Sequence, residues 1–122
     1  MMYLIDTNII IYHLANMPQA VNFLDKHRGN LAISTITVSE VLSFDMNDDD
    51  LTATKTFLQD NFIWLDVSRE IIFKSADIRR IKKTKTPDAI IGATAICHDL
   101  ILVSRNEKDF MHLPIDFVNP MA

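Results

Sequence analysis

The chain has 122 residues, 48% of them hydrophobic, with only two glycines and four prolines; this suits one packed domain and excludes a disordered or turn-dominated chain. No run of 18 apolar residues occurs, and the start, Met1-Met2-Tyr3-Leu4-Ile5-Asp6, lacks the basic segment of a signal peptide, so a cytoplasmic protein without membrane association is expected. A lone cysteine (Cys97) excludes an internal disulfide, and a net charge of −4 excludes nucleic-acid binding by bulk charge alone.

In chain order, Tyr3-Leu4-Ile5 reads as a buried strand that ends abruptly in Asp6-Thr7-Asn8. A helix follows from Asn8 to Ala15, broken at Asn16-Met17-Pro18, and Pro18 opens a second helix from Gln19 to His27. Leu31 to Ser34 is a second strand. Thr35 or Thr37 then starts a helix with Ile36, Val38, Val41, Leu42 and Phe44 on its apolar faces. The acidic run Asp48-Asp49-Asp50 caps a helix from Leu51 to Asp60, and Phe62 to Val67 is a third strand rich in β-formers.

Ser68 caps a long amphipathic helix from Arg69 to about Lys83, running into a cluster with five basic residues in seven, Arg79 to Lys85. Thr86-Pro87-Asp88 combines a capping hydroxyl, a proline and an acid, and starts a helix that continues to Cys97. Leu100 to Ser104 is a fourth strand, Glu107 to Met111 a short helix, and Asp116 to Val118 an edge strand. Strands alternating with helices imply an α/β fold with a parallel sheet of four to five strands covered on both faces. Residues 1–122 contain no linker, repeat or low-complexity segment and are expected to form one domain.

Acids, or their amide, stand where such a sheet converges. Asp6 follows strand one, and Asn106 and Asp109 follow strand four on the same sheet edge. Glu40 sits between Ile36 and Phe44 on a helix apolar most of the way round, which a solvated acid explains poorly. Asp88 shares a helix face with the small residues Gly92 and Ala95, so that face is expected to pack on strand one near Asp6. Each acid alone has a plainer reading as a helix-dipole or capping residue. Together they repel: two carboxylates about 5 Å apart cost about 3 kcal/mol at an effective dielectric near 20. A cluster of this kind raises its pKa values or binds a hard cation. Oxygen donors without histidine spacing favour Mg²⁺ or Mn²⁺ over zinc.

Leu4-Ile5-Asp6-Thr7-Asn8, Ser39-Glu40-Val41, Pro87-Asp88-Ala89-Ile90-Ile91-Gly92-Ala93-Thr94-Ala95 and Leu102-Val103-Ser104-Arg105-Asn106-Glu107-Lys108-Asp109-Phe110 resemble, in that order, the PIN-domain ribonucleases, and more narrowly the VapC-type toxins. The resemblance spans Tyr3 to about Phe117. It implies a three-layer αβα fold, Asp6, Glu40 and Asp88 as metal-binding acids, Asn106 in place of a fourth acid with Asp109 three residues on, and Thr7 and Ser104 as supporting hydroxyls. It further implies a Mg²⁺- or Mn²⁺-dependent endoribonuclease, a homodimer, and an antitoxin that inserts a peptide near the active site. An RNA-processing or repair nuclease without an antitoxin, and a non-catalytic PIN module, are the alternatives; a receiver-type or phosphatase α/β domain lacks its acid patterns here.

An acidic protein that holds RNA needs local cations. Lys85 lies within roughly 10 Å of Asp88 by chain length alone, and Arg105 directly precedes Asn106. Lys82, Lys83, Lys85 and Arg105 are therefore expected to line an RNA path, against the plainer reading of a solvated helix end.

Overall fold

The computed structural model describes residues 1–122 as five strands and seven helices. The strands are β1 (Tyr3–Ile5), β2 (Leu31–Ser34), β3 (Ile63–Leu65), β4 (Ile101–Val103) and β5 (Phe117–Val118). They form one sheet in the order β3-β2-β1-β4-β5, with every neighbouring pair parallel. The helices are α1 (Thr7–Leu14), α2 (Pro18–Lys26), α3 (Thr35–Leu42), α4 (Asp48–Asn61), α5 (Arg69–Ile81), α6 (Thr86–His98) and α7 (Glu107–Phe110).

The two-residue period of a strand separates the helices into layers. Ile5, Leu31, Ile33 and Val103 point into a core built with Ile9, Ile10, Ala20, Leu24, Val38, Val41 and Leu58, from α1 to α4. Their neighbours Leu4, Ala32 and Leu102 point the other way, against Ile91 and Ala95 of α6 and Phe110 of α7. Ile71 and Ile78 of α5 then pack on Ala89, Ile90 and Ala93 of α6. This is the three-layer αβα arrangement. β1 lies at its centre, and the chain leaves β1 toward β2 on one side and returns to β4 on the other. The reversal opens a crevice at the carboxyl ends of β1 and β4, where parallel sheets of this kind bind ligands.

Several expected boundaries shift for identifiable reasons. Asn47, not the acidic run, caps α4: its side chain accepts from the Asp50 N–H at 2.8 Å, and the three aspartates fill the first turn. The α6 cap is Lys85 with no side-chain bond, so Thr86 is the first helical residue and not a capping hydroxyl. α3 stops at Leu42, leaving Phe44 outside the helix and 54% exposed. α5 stops at Ile81, and Lys82 is already extended (φ −143°). The small-residue face of α6 is also divided. Ala95 packs with Leu4 of β1, but a Cβ on Gly92 would lie 2.6 Å from Leu113 Cδ1, so Gly92 makes room for the segment after α7 and not for β1.

Candidate active site

Asp6 sits where β1 becomes α1, and the pairing with β4 continues through it: its N–H donates to Val103 at 2.9 Å. The residue is only 4% exposed, so its carboxylate must find partners inside the protein. It finds three. The Thr7 N–H donates to Oδ1 at 2.7 Å, making Asp6 the N-cap of α1, and the Ser104 hydroxyl donates to Oδ2 at 2.7 Å from 98 residues away. The Asn8 amide donates to the same Oδ2 at 3.3 Å and to Ser104 Oγ at 3.2 Å.

These partners do not offset burial. Desolvation pushes the Asp6 carboxyl up to about 6, the two short hydrogen bonds pull it down, and the charges of Asp88 and Glu40 push it further up. The Asp88 carboxyl is raised as well, by desolvation first, then by Asp109 and Glu40, with Lys85 opposing. Four acids from four stretches of chain thus sense one another, and neither of the two ion pairs in the molecule involves any of them.

Glu40, on α3, is fixed from α1. The Thr7 hydroxyl donates to Glu40 Oε1 at 2.7 Å and lies 3.2 Å from the hydroxyl of buried Thr37. A hydroxyl has one proton, so Thr37 donates to Thr7, which donates to Glu40. On the other side Asn106, exposed, donates its backbone N–H to Ser104 Oγ at 3.0 Å, and the Arg105 N–H reaches Asn8 Oδ1 at 3.3 Å. Asn8 therefore ties the β1 and β4 ends together. Tyr12 accepts from the Arg105 guanidinium at 2.7 Å, with the cation 5.5 Å from the ring centroid.

The structure brings Asp6, Thr7, Glu40, Asp88 and Asn106 onto one cleft of about 310 Å³, with Asn8, Ile11, Tyr12 and Phe44 completing its wall. A larger concavity of about 450 Å³ between α1 and α4 holds a single acid, Asp50, so size alone does not mark the site. Asp109 is outside the lining, and its charge acts on Asp88. The basic cluster divides. Lys85 acts on Asp88, and Lys82 Nζ donates to the Lys108 carbonyl at 3.3 Å, but Lys83 opens with Arg79 and Arg80 onto a separate surface hollow. The expected single basic rim is thus two surfaces, because the chain leaves α5 at Lys82. Asn8, Thr37 and Tyr12 carry site contacts that sequence reasoning missed. Asn8 reads as a cap residue, Thr37 as a helix start, and Tyr12 as an ordinary amphipathic position.

No three histidine, cysteine or acidic side chains close into a ready-made metal cage. The donors nonetheless fit a hard cation: all are oxygens, they converge from several elements, and burial with like charge nearby disfavours the charged forms of Asp6 and Asp88. Mg²⁺ keeps several waters and takes one or two carboxylates directly, which suits an open set. None of the four histidines lines the cleft; His13 stacks on Phe57 at 4.6 Å.

The PIN domain family model matches residues 3–115. No curated protein matches at a significant level. Among solved structures, a chain of a toxin–antitoxin complex from Klebsiella pneumoniae is 36% identical, with a TM-score of 0.87 and 97% of each chain covered. A chain of FitAcB from Neisseria gonorrhoeae is 25% identical (TM-score 0.80, 98% of each chain). A chain of VapBC-1 from nontypeable Haemophilus influenzae, 21% identical with a TM-score of 0.83 over 100% of each, shares the fold. With a match spanning all four acids and four of the five strands, this chain belongs to the PIN domain family.

Proposed function

We propose that the protein is a divalent-metal-dependent endoribonuclease and the toxin of a toxin–antitoxin pair, acting in the cytoplasm as a homodimer. The observation that carries the nuclease reading is Asp6. A carboxylate 4% exposed, with its pKa raised to about 6 and the charges of Asp88 and Glu40 acting on it, is a poor structural residue and a good cation ligand. The antitoxin is proposed from the Klebsiella likeness, since that relative comes from a toxin–antitoxin complex. Residues 1–122 would form one PIN domain of the toxin class.

Asp6, Glu40 and Asp88 would hold Mg²⁺ or Mn²⁺, which when bound polarises a phosphodiester and acidifies water. The chain's own groups prepare the place. Ser104 and the Thr7 N–H fix both oxygens of Asp6, and the Thr37–Thr7 hydroxyl pair fixes Glu40. Asn106 offers an uncharged amide to the cleft, and Asp109 adds negative charge that acts on Asp88. Lys85 beside Asp88, with Lys82 and Arg105, would supply the attraction for RNA that the acids lack, and Lys83 would add to it only from the neighbouring surface.

Asp6→Asn, Glu40→Gln and Asp88→Asn should each lower RNA cleavage in Mg²⁺ or Mn²⁺ at least about a hundredfold while leaving the fold intact. Losing preorganised charge stabilisation at one position costs that much. Asn106→Ala should cost less than any of the three. Cleavage undiminished in all three acid variants would remove the metal-site reading. Co-purification with the product of a neighbouring small gene tests the antitoxin, and light scattering tests the dimer.

A further inference from the structure

The acids of the cleft account for only one of its walls. Ile11 and Tyr12 lie one helical turn beyond Thr7 and Asn8 on α1, and Phe44 lies four residues beyond Glu40, just past α3. Residues four apart on a helix share a face, with Cβ atoms about 5–6 Å apart. On α1 the geometry that turns Thr7 and Asn8 into the cleft therefore sets Ile11 and Tyr12 beside them, and Phe44 reaches the same wall from the segment after α3. Ile11 and Tyr12 have a second role, since both also pack on the core. Phe44 has none: it is 54% exposed and belongs to no core cluster. A large aromatic ring left in water at the edge of a charged cleft calls for a ligand with an apolar face.

The charges beside that wall narrow the chemistry. Arg105 is exposed, yet its guanidinium is held by the Tyr12 hydroxyl at 2.7 Å and faces the ring. The cleft thus offers a flat apolar surface and acidic groups, and Tyr12, in its wall, holds an oriented cation beside it. A nucleotide has the matching parts: a base with two apolar faces, and a phosphate.

Resting on the nuclease reading above, we infer that Phe44 is a stacking platform for a nucleobase next to the scissile phosphate, with Tyr12-held Arg105 on an adjoining phosphate. A base can lie on Phe44 only if it has left its helix. The cleft therefore selects single-stranded RNA, or a loop whose bases splay out, over duplex.

Binding of short fluorescent RNAs to the Asp6→Asn protein tests this. That variant has one carboxylate fewer to repel phosphate, and it leaves the probe uncut if the nuclease reading holds. Single strands should bind more tightly than the same sequence annealed to its complement. Phe44→Ala should weaken single-strand binding about tenfold, the usual scale of one lost stack, and Phe44→Trp should restore it. Replacing one nucleotide at a time by an abasic residue supplies the decisive arm. At one position the abasic RNA should lose the same affinity and become indifferent to Phe44→Ala, as a direct contact requires. Phe44→Ala that changes nothing overturns the assignment and leaves the wall to a side chain of a protein partner. An equal loss for every abasic RNA and for duplex overturns it too. A wild-type protein that cuts no RNA in Mg²⁺ or Mn²⁺ would instead remove the nuclease reading, while the binding comparison still decides the platform.

Discussion

Asp6 binds its proton more tightly folded than unfolded, and this has a direct consequence for stability. Between the ordinary value of 3.8 and about 6, the folded chain keeps a proton that the unfolded chain has lost. Stability of the metal-free protein therefore falls as pH rises through that window, by about 3 kcal/mol from this group at 1.36 kcal/mol per unit. Asp6→Asn keeps the N-cap and removes the titration. Urea unfolding in chelator should show the variant gaining on wild type from pH 4 to 6 and staying ahead at pH 7. A difference between the two that does not vary with pH would contradict the assigned burial. The candidate site was legible in sequence at this residue because a carboxylate ending an apolar strand is anomalous by itself. Asn8, Thr37 and Tyr12 were not, because each is ordinary locally and gains its contacts only from tertiary neighbours, 30 to 97 residues away for Thr7–Thr37 and Asn8–Arg105.

Among the elements, strands and helices with strong periodicity fell close to where pattern placed them, as β2 did at Leu31–Ser34. The end of α5 did not. Its amphipathic pattern and its basic residues, which suit a helix C-terminus, run on past Ile81. The Arg79 Nε–H donates instead to the Thr84 carbonyl at 3.1 Å, folding the segment back while Lys82 goes extended. The three lysines consequently face different surfaces, and single substitutions should separate them. Lys85→Ala, beside Asp88, should weaken RNA binding and flatten the salt dependence of log K by about 0.7, one phosphate contact on a single strand. Lys83→Ala, which opens beside Arg79 and Arg80, should change the slope less. Equal slopes for the two would restore a continuous basic rim across both surfaces.

At the scale of the whole molecule, the strand order explains why so short a chain concentrates so much negative charge. Placing β1 between β2 and β4 brings Asp6 beside Ser104, and the connections on the same edge deliver Glu40, Asp88 and Asp109. The fold therefore stores repulsion, and under the proposed metal binding a bound cation would relieve it and so link metal to stability. At ten times its Kd, Mg²⁺ or Mn²⁺ should stabilise the protein by about 1.4 kcal/mol, a rise in melting temperature of about 5 °C for a domain of this size. At one fixed metal concentration the gain should be larger at pH 7 than at pH 5, because below about 6 a proton competes for Asp6 and raises the Kd. Asp6→Asn should show no metal response while melting higher than wild type in chelator. Na⁺ at matched ionic strength controls for screening, which relieves part of any like-charge repulsion. A wild type whose melting rises no more with Mg²⁺ or Mn²⁺ than with Na⁺ would mean that these acids gather for a reason other than a divalent ion.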